Sequence, residues 1–208
     1  MQTQVSKKSQ LKRLHILKTG ADLVLHKGFS AVGLQEILST CQIPKGSFYH
    51  YFQSKEQFGC ALLEDYIATY HTRLDQIWNS NALAKQQLIR YFKLWIDDPN
   101  MQCGWADSCL IVKLAAEVSD LSEDMRCIMA QGVAQLMQRI SALIELGKQD
   151  HSINIEMDAA SLSQIIYPMW LGAALLSKLQ KDKAPLTQAL YATEFMLTPT
   201  KPQSRKLQ

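Results

Sequence analysis

Apolar side chains recur at spacings of three and four along almost the whole chain, as at Leu14, Leu17, Ala21 and Val24. Nowhere does a sustained polar–apolar alternation stand between turn residues. That period is helical, and it predicts an all-α fold of about nine helices. Ser9 reads as the N-cap of a first helix that stops at Gly28, the residue best able to turn left-handed past a helix end. A short helix is expected over about 34–40, and Pro44 suits the first turn of a third. Ser54 and Gln57 read as a capping box opening a fourth helix to about Asn79. The body continues with helices over about 83–98 and 108–118. A long helix capped by Ser122 follows to about Lys148, with Glu123 and Asp124 in its first turn, and the last two run over about 158–181 and 185–197.

Composition narrows the class. Of 208 residues, 47% are hydrophobic and 20% charged, with 9 Gly and 6 Pro, which excludes a disordered or fibrous chain and permits a sizeable core. The net charge of +3 is unevenly spread. Residues 1–55 hold eight basic side chains (Lys7, Lys8, Lys12, Arg13, Lys18, Lys27, Lys45, Lys55) against Asp22 and Glu36, or +6, which leaves −3 for the remainder. A basic head on a mildly acidic body is suited to a polyanion at one end. The 5 cysteines (Cys41, Cys60, Cys103, Cys109, Cys127) lack metal-site or disulfide-framework spacing, so reduced thiols in a cytoplasmic protein are expected. The longest apolar run, Ile165 to Leu176, contains Pro168 and falls short of a membrane span, so no membrane partner is expected. No metal or cofactor is expected either.

Two short helices joined by a tight turn, the second small, basic and aromatic, have the pattern of a helix-turn-helix. The second runs through Pro44, Lys45, Gly46, Ser47, Phe48, Tyr49, His50, Tyr51 and Phe52. Gly46 and Ser47 allow close backbone approach to DNA, and Lys45 and Lys55 can neutralise phosphates. Tyr49, His50 and Tyr51 offer hydrogen bonds to phosphates or base edges. Phe48 and Phe52, four apart, are expected to face the core of the head.

Together with Gly28, Phe29, Ile37 and Ser54-Lys55-Glu56, this stretch resembles the DNA-binding head of the TetR/AcrR family of bacterial transcriptional regulators. The resemblance covers essentially the whole chain. It implies a head at 1–55, a ligand-sensing and dimerisation body at 56–197 and a flexible tail at 198–208. It also implies a homodimer through the last two long helices, a palindromic operator, and a body pocket that controls the spacing of the heads. By that analogy Lys45, Gly46, Ser47, Tyr49, His50, Tyr51 and Lys55 face the DNA. Two positions depart from the family pattern. Val32 and Gly33 stand where a hydroxyl commonly opens helix 2, leaving a Gly33 or Leu34 backbone N–H for the phosphate. Gln42 replaces the usual turn glycine, which costs energy if the left-handed geometry is kept.

The stretch from Cys109 to Val118, with Asp120 to Arg126, is similar to a narrower branch of that family, the repressors of reductases that clear reactive electrophiles. That resemblance implies a signal-modified cysteine at Cys109. The start of a helix favours a thiolate there, and Lys113 one turn on and Lys178 on a later helix are candidate cations, whereas Asp107 opposes. Trp95, Trp105, Tyr167, Met101, Met169 and Trp170 are candidate pocket-lining residues for a small apolar inducer, with a Pro168 kink beside Trp170. Core packing accounts for the same pattern. Cys41 and Cys60 read as packing residues near the head. A regulator with a non-covalent apolar ligand, a thiol enzyme using Cys109, and a helical interaction protein are the rival readings.

Overall fold

A computed structural model describes residues 2–78 and 81–198; the expected end of the fourth helix at Asn79 and the tail beyond Thr198 lie outside them. The described residues form nine α-helices and no strand. They are α1 (Gln2–Lys27), α2 (Leu34–Cys41), α3 (Lys45–Tyr51), α4 (Lys55–Trp78), α5 (Ala84–Ile96), α6 (Leu110–Leu121), α7 (Glu123–Gln149), α8 (Ala159–Gln180) and α9 (Ala184–Met196).

Capping chemistry sets most of the boundaries. Gly28, at φ +90°, ends α1 and closes it through its N–H on Val24 O. Pro44 stands as the N-cap of α3 rather than inside its first turn. Ser54 Oγ accepts the Gln57 N–H at 3.0 Å, and Gln57 Oε1 reaches past the cap to the Gln53 N–H at 2.6 Å. Ser122 Oγ accepts from Met125 N and Asp158 Oδ1 from Ser161 N, which opens α7 and α8. A second boundary differs from expectation. Helix α1 begins at Gln2, and Ser9 lies inside it with its hydroxyl on Tyr51 rather than on the backbone.

The chain divides into two compact units. The first comprises Met1–Thr72 and Cys109–Val133; its core is a ring cluster of Phe48, Phe52 and Phe58, each 1% exposed or less, with centroids 5.3–5.6 Å apart. Ile16, Leu17, Val24 and Ile37 are buried in the same unit. Within it α4 and α7 pack closely: a Cβ on Gly59 would come within 2.7 Å of the Met125 sulfur.

The second unit comprises Arg73–Ser108 and Ala134–Gln208, and its core is aromatic. Phe92 stacks on Trp170 with centroids 4.5 Å apart, and Tyr91, Trp95 and Tyr167 pack around them. The α5–α6 connection is pinned in this unit. Trp105 Nε1 donates to Asp98 Oδ2 at 2.6 Å, and the Arg73 guanidinium lies 4.1 Å from the Trp105 ring centroid. Burial pulls the Asp98 carboxyl upward, but the bonds from Trp105 and Asn100 and the charge of Arg73 outweigh it and hold it below the usual range.

Helix α8 runs unbroken through Pro168, which lies on its exposed side with Ile165, Leu175, Leu176 and Leu179. It is long and apolar enough, by length and composition, to cross a membrane, which corrects the expectation that no segment reaches that length. Its other face is core: Ile166, Tyr167, Trp170 and Ala174 are buried.

Candidate nucleic-acid interface and sensor cysteine

The turn between α2 and α3 determines how the recognition helix is presented. Gln42 takes φ 54°, ψ 45°, its N–H bonds Ser39 O, and the Ile43 N–H bonds Leu38 O. The left-handed turn is thus kept without glycine. Helix α3 then presents two faces. Phe48 is fully buried, whereas Lys45, Gly46, Tyr49 and His50 are exposed and Ser47 and Tyr51 half-buried. The Lys45 ammonium lies 5.8 Å from the Tyr49 ring centroid. The Tyr51 hydroxyl accepts from Ser9 Oγ at 3.2 Å, which braces the end of α3 against α1.

At the start of α2, Gly33 is an extended N-cap without a side-chain bond, as the missing hydroxyl implies. Gly33 is exposed, Leu34 half-buried, and a Cβ at Gly33 would meet nothing within 4 Å. Of the residues expected to face DNA, Lys45, Gly46, Tyr49 and His50 are exposed on α3, Ser47 and Tyr51 are half-buried there, Gly33 and Leu34 stand at the start of α2, and Lys55 is engaged elsewhere.

The Lys55 ammonium donates to Phe29 O at 2.8 Å and Ser30 O at 3.4 Å and lies 4.7 Å from the Phe29 ring centroid. Partial burial lowers its pKa, against the raising effect of Glu117. Its first role is to fasten the α1–α2 turn, because those carbonyls lack helical partners. From the other side Glu117 of α6 accepts the Phe29 N–H at 3.0 Å and the Ser30 N–H at 2.5 Å. Sequence pattern did not single out Glu117, which reads locally as a solvated acid on an amphipathic helix.

Cys109 is the N-cap of α6 and is 2% exposed. Its carbonyl accepts the Lys113 N–H, so the residue stands at the helix start. The Lys113 side chain is a correction. Its ammonium donates to His26 O at 3.2 Å, in the last turn of α1, because unpaired carbonyls there attract a cation. Lys178 is half-buried on α8 in the second unit.

Trp170 is a second correction. It is fully buried, stacked on Phe92, and donates Nε1–H to Thr193 Oγ1 at 2.9 Å, so it is core and not a pocket wall. Trp95, Trp105 and Tyr167, at 1–4% exposure, are core for the same reason: facing aromatic rings fill the space between helices. The second unit does carry an open groove of about 590 Å³ between α7 and α8, lined by Met137, Ser141, Glu145, Ala160, Ser163 and Gln164 among others. Cys41 is buried, as expected. Cys60 is half-buried beside Glu56, Glu64 and Asp124 in a groove shared with Cys127, and burial and those carboxylates push its thiol up.

A helix-turn-helix with an exposed polar face on its second helix, within an all-α chain, defines a DNA-binding regulator. The chain matches the profile of "Bacterial regulatory proteins, tetR family" over residues 16–59 and that of "Tetracyclin repressor-like, C-terminal domain" over 84–193. It belongs to the TetR family. The repressor NemR of Escherichia coli K12 is 40% identical over 189 residues, covering 90% of this chain and 94% of that protein. The transcriptional regulator AcuR of Cereibacter sphaeroides is 33% identical over 82% of this chain and 78% of its own length. The crystal structure of reduced E. coli NemR superposes with a TM-score of 0.83 at 38% identity, covering 91% of this chain and 99% of that one.

Proposed function

We propose that the chain is a cytoplasmic, homodimeric repressor that binds a palindromic operator through α3 of each subunit and releases it when an electrophile or oxidant modifies Cys109. The observation that carries this reading is the position of Cys109 as the N-cap of α6, the helix that also bonds the last turn of α1 through Lys113 and the α1–α2 turn through Glu117. A maleimide adds its alkene across the thiol: a sulfur–carbon bond forms and the thiol proton ends on the neighbouring carbon. Cys109 is only 2% exposed and leaves no room for the adduct, and close-packed interiors do not deform continuously, so the start of α6 must shift. That shift pulls on the two clasps at the head. A tenfold loss of operator affinity requires only about 1.4 kcal/mol of difference between the two arrangements.

The same reading gives the contacts their roles. Lys45, Ser47, Tyr49 and His50 meet phosphates and base edges from α3; Gly46 lets the backbone approach; the N–H groups at Gly33 and Leu34 meet a phosphate at the start of α2. Dimerisation uses the exposed apolar surface of Ile165, Leu175, Leu176 and Leu179 on α8 with Tyr191 and Phe195 on α9, the last two 75% and 72% exposed. The chain acts as a regulator and not as a thiol enzyme, in keeping with its relatives.

The test is operator binding before and after a brief pulse of N-ethylmaleimide, for wild type and Cys109→Ser. Wild type should release the DNA and the variant should retain it; equal release by both sinks the covalent assignment. The α7–α8 groove supports a second reading, an inducer held without a covalent bond. Mass spectrometry after the pulse separates them, since an adduct confined to Cys109 belongs only to the first.

A further inference from the structure

Two contacts from α1 meet α3 at its C-terminal end, and each leaves a donor unused. Ser9 and Arg13, one turn apart, share a face of α1. Ser9 Oγ donates to the Tyr51 hydroxyl at 3.2 Å, and the Arg13 guanidinium lies 5.5 Å from the Phe52 ring centroid. Tyr51 is the last residue of α3 and Phe52 is its C-cap.

A phenol carries one proton, and because the Tyr51 oxygen accepts from Ser9, its own O–H can donate only to another acceptor. No hydrogen bond among the described residues takes that proton. Tyr51 is half-buried, and its ring packs edge-on against that of exposed His50, with centroids 4.9 Å apart, so it borders the surface that α3 presents.

Arg13 is half-buried as well, over a Phe52 ring that is 1% exposed. Contact with a ring face uses the charge of a guanidinium and none of its five N–H donors. Arg73, Arg126 and Arg139 each meet a carboxylate, whereas Arg13 is in no ion pair or hydrogen bond among the described residues, and no acid precedes Asp22 in the chain. The last turn of a helix offers carbonyls, so an anion at this end of α3 depends on side-chain donors. A planar guanidinium beside a phenol O–H supplies them in a form that suits the oxygens of a phosphate.

We propose that Arg13 and Tyr51 seat one phosphate of the operator at the C-terminal end of α3, and that Ser9 is the positioning residue that turns the Tyr51 O–H toward it. This rests on the DNA-binding reading above and adds a contact from α1 to it.

The experiment measures affinity against salt on duplexes of the intergenic DNA beside its gene. Wild type is compared with Arg13→Gln, Arg13→Lys, Tyr51→Phe, Ser9→Ala and the Ser9→Ala, Tyr51→Phe double variant, all below their unfolding transitions as read by circular dichroism. Arg13→Gln should make the slope of log affinity against log salt shallower by about 1.8, for one phosphate in each half of a dimer, and Arg13→Lys should restore it, since the slope counts charge. Tyr51→Phe and Ser9→Ala change no charge and should lower affinity about fivefold at the wild-type slope, with the double variant no weaker than Tyr51→Phe alone. Duplexes carrying a neutral methylphosphonate at one linkage at a time locate the seat. One linkage in each half of the operator should weaken wild type and abolish the further losses of Arg13→Gln, Tyr51→Phe and Ser9→Ala. Losses that persist at every linkage make the α1 contacts a structural brace and overturn the seat, as does an Arg13→Gln protein with the wild-type slope. A Ser9→Ala loss that survives in the Tyr51→Phe background overturns the positioning role. A wild-type protein that binds no duplex overturns the DNA reading itself.

Discussion

The Glu117 carboxylate accepts the backbone N–H of Ser30 at 2.5 Å, joining α6 to the turn that leads into α2. The adjacent Phe29 N–H bonds the other carboxylate oxygen at 3.0 Å, and Lys55 holds the carbonyls of the same two residues. A turn that must enter a helix-turn-helix at a fixed angle has both its donors and its acceptors satisfied by side chains from two other helices. Gly28 completes the arrangement: its φ of +90° favours glycine, and a Cβ there would press on Glu117 Oε2 at 3.0 Å.

Replacing Glu117 with Gln keeps one acceptor and loses the charge. Charge-assisted hydrogen bonds contribute about 1.5–3 kcal/mol, so a loss of about 1–2 kcal/mol is expected in urea unfolding. The pH dependence has a definite sign. Burial pushes the carboxyl up, but the bonds from Ser30 and Phe29 and the charge of Lys55 outweigh it and hold it below the ordinary range. Its contribution is full above the unfolded pKa and disappears as pH falls through the lower folded one. The stability gap between wild type and variant should accordingly shrink below about pH 4, the range of an unperturbed Glu. A gap that stays constant from pH 7 to pH 3 contradicts the clasp.

Gln42 holds a left-handed conformation that costs an L-residue about 1–2 kcal/mol. Its side chain is exposed, so Gln42→Gly removes that strain and forfeits no core contact. After the entropic penalty of glycine the variant should be more stable by about 0.5–1 kcal/mol, read as a higher denaturation midpoint with unchanged slope.

Gly33 allows the opposite exchange. It is extended at φ −76°, ψ 154°, and a side chain there has open space, so the Oγ of a Gly33→Ser variant can accept from the first N–H groups of α2. The gain should be a few tenths of a kcal/mol in stability, with tighter operator binding if the hydroxyl reaches a phosphate. A fall in the unfolding midpoint would show that the α2 N-terminus is not capped in this manner.

What could be read without coordinates follows the range of the interaction that decides each feature. The helix-turn-helix was legible because its signals lie within a dozen residues: the caps, Pro44, the Phe48–Phe52 spacing and the cost at Gln42 are all local. Ser9 misled because its partner, Tyr51, is 42 residues away, and an isolated serine among polar residues has the appearance of a cap. Lys55 and Lys113 were legible as cations but not in their targets, since unpaired turn carbonyls leave no trace in composition. Trp170 lay in a pattern that core and pocket share; only the stacked Phe92 and the bonded Thr193 separate the two.

Thr193 is fully buried, accepts from Trp170 Nε1 and donates to Ala189 O at 2.7 Å. Thr193→Val keeps the shape and leaves the indole N–H without its acceptor, at a cost of about 1–3 kcal/mol. Because Trp170 is core, the variant should lower thermal stability and leave the response to N-ethylmaleimide intact in the folded protein. An altered inducer response at unchanged stability would return Trp170 to the pocket.

Lys45 and Lys55 should separate cleanly, although both are lysines flanking the recognition helix. Lys45 is exposed on α3 beside Tyr49, whereas Lys55 is committed to Phe29 O and Ser30 O. Lys45→Ala should therefore leave the unfolding midpoint within about 0.5 kcal/mol of wild type and lower operator affinity, with a salt slope shallower by about 0.9 for each phosphate released. Lys55→Ala leaves two carbonyls unsatisfied at a turn, so it should lower stability by about 1–2 kcal/mol. Its effect on affinity should arise through the altered position of α2, with a salt slope close to that of wild type. A Lys55→Ala protein as stable as wild type, but with the slope change assigned to Lys45, would mean that the ammonium leaves the turn for a phosphate when DNA arrives, and would restore it to the DNA-facing set.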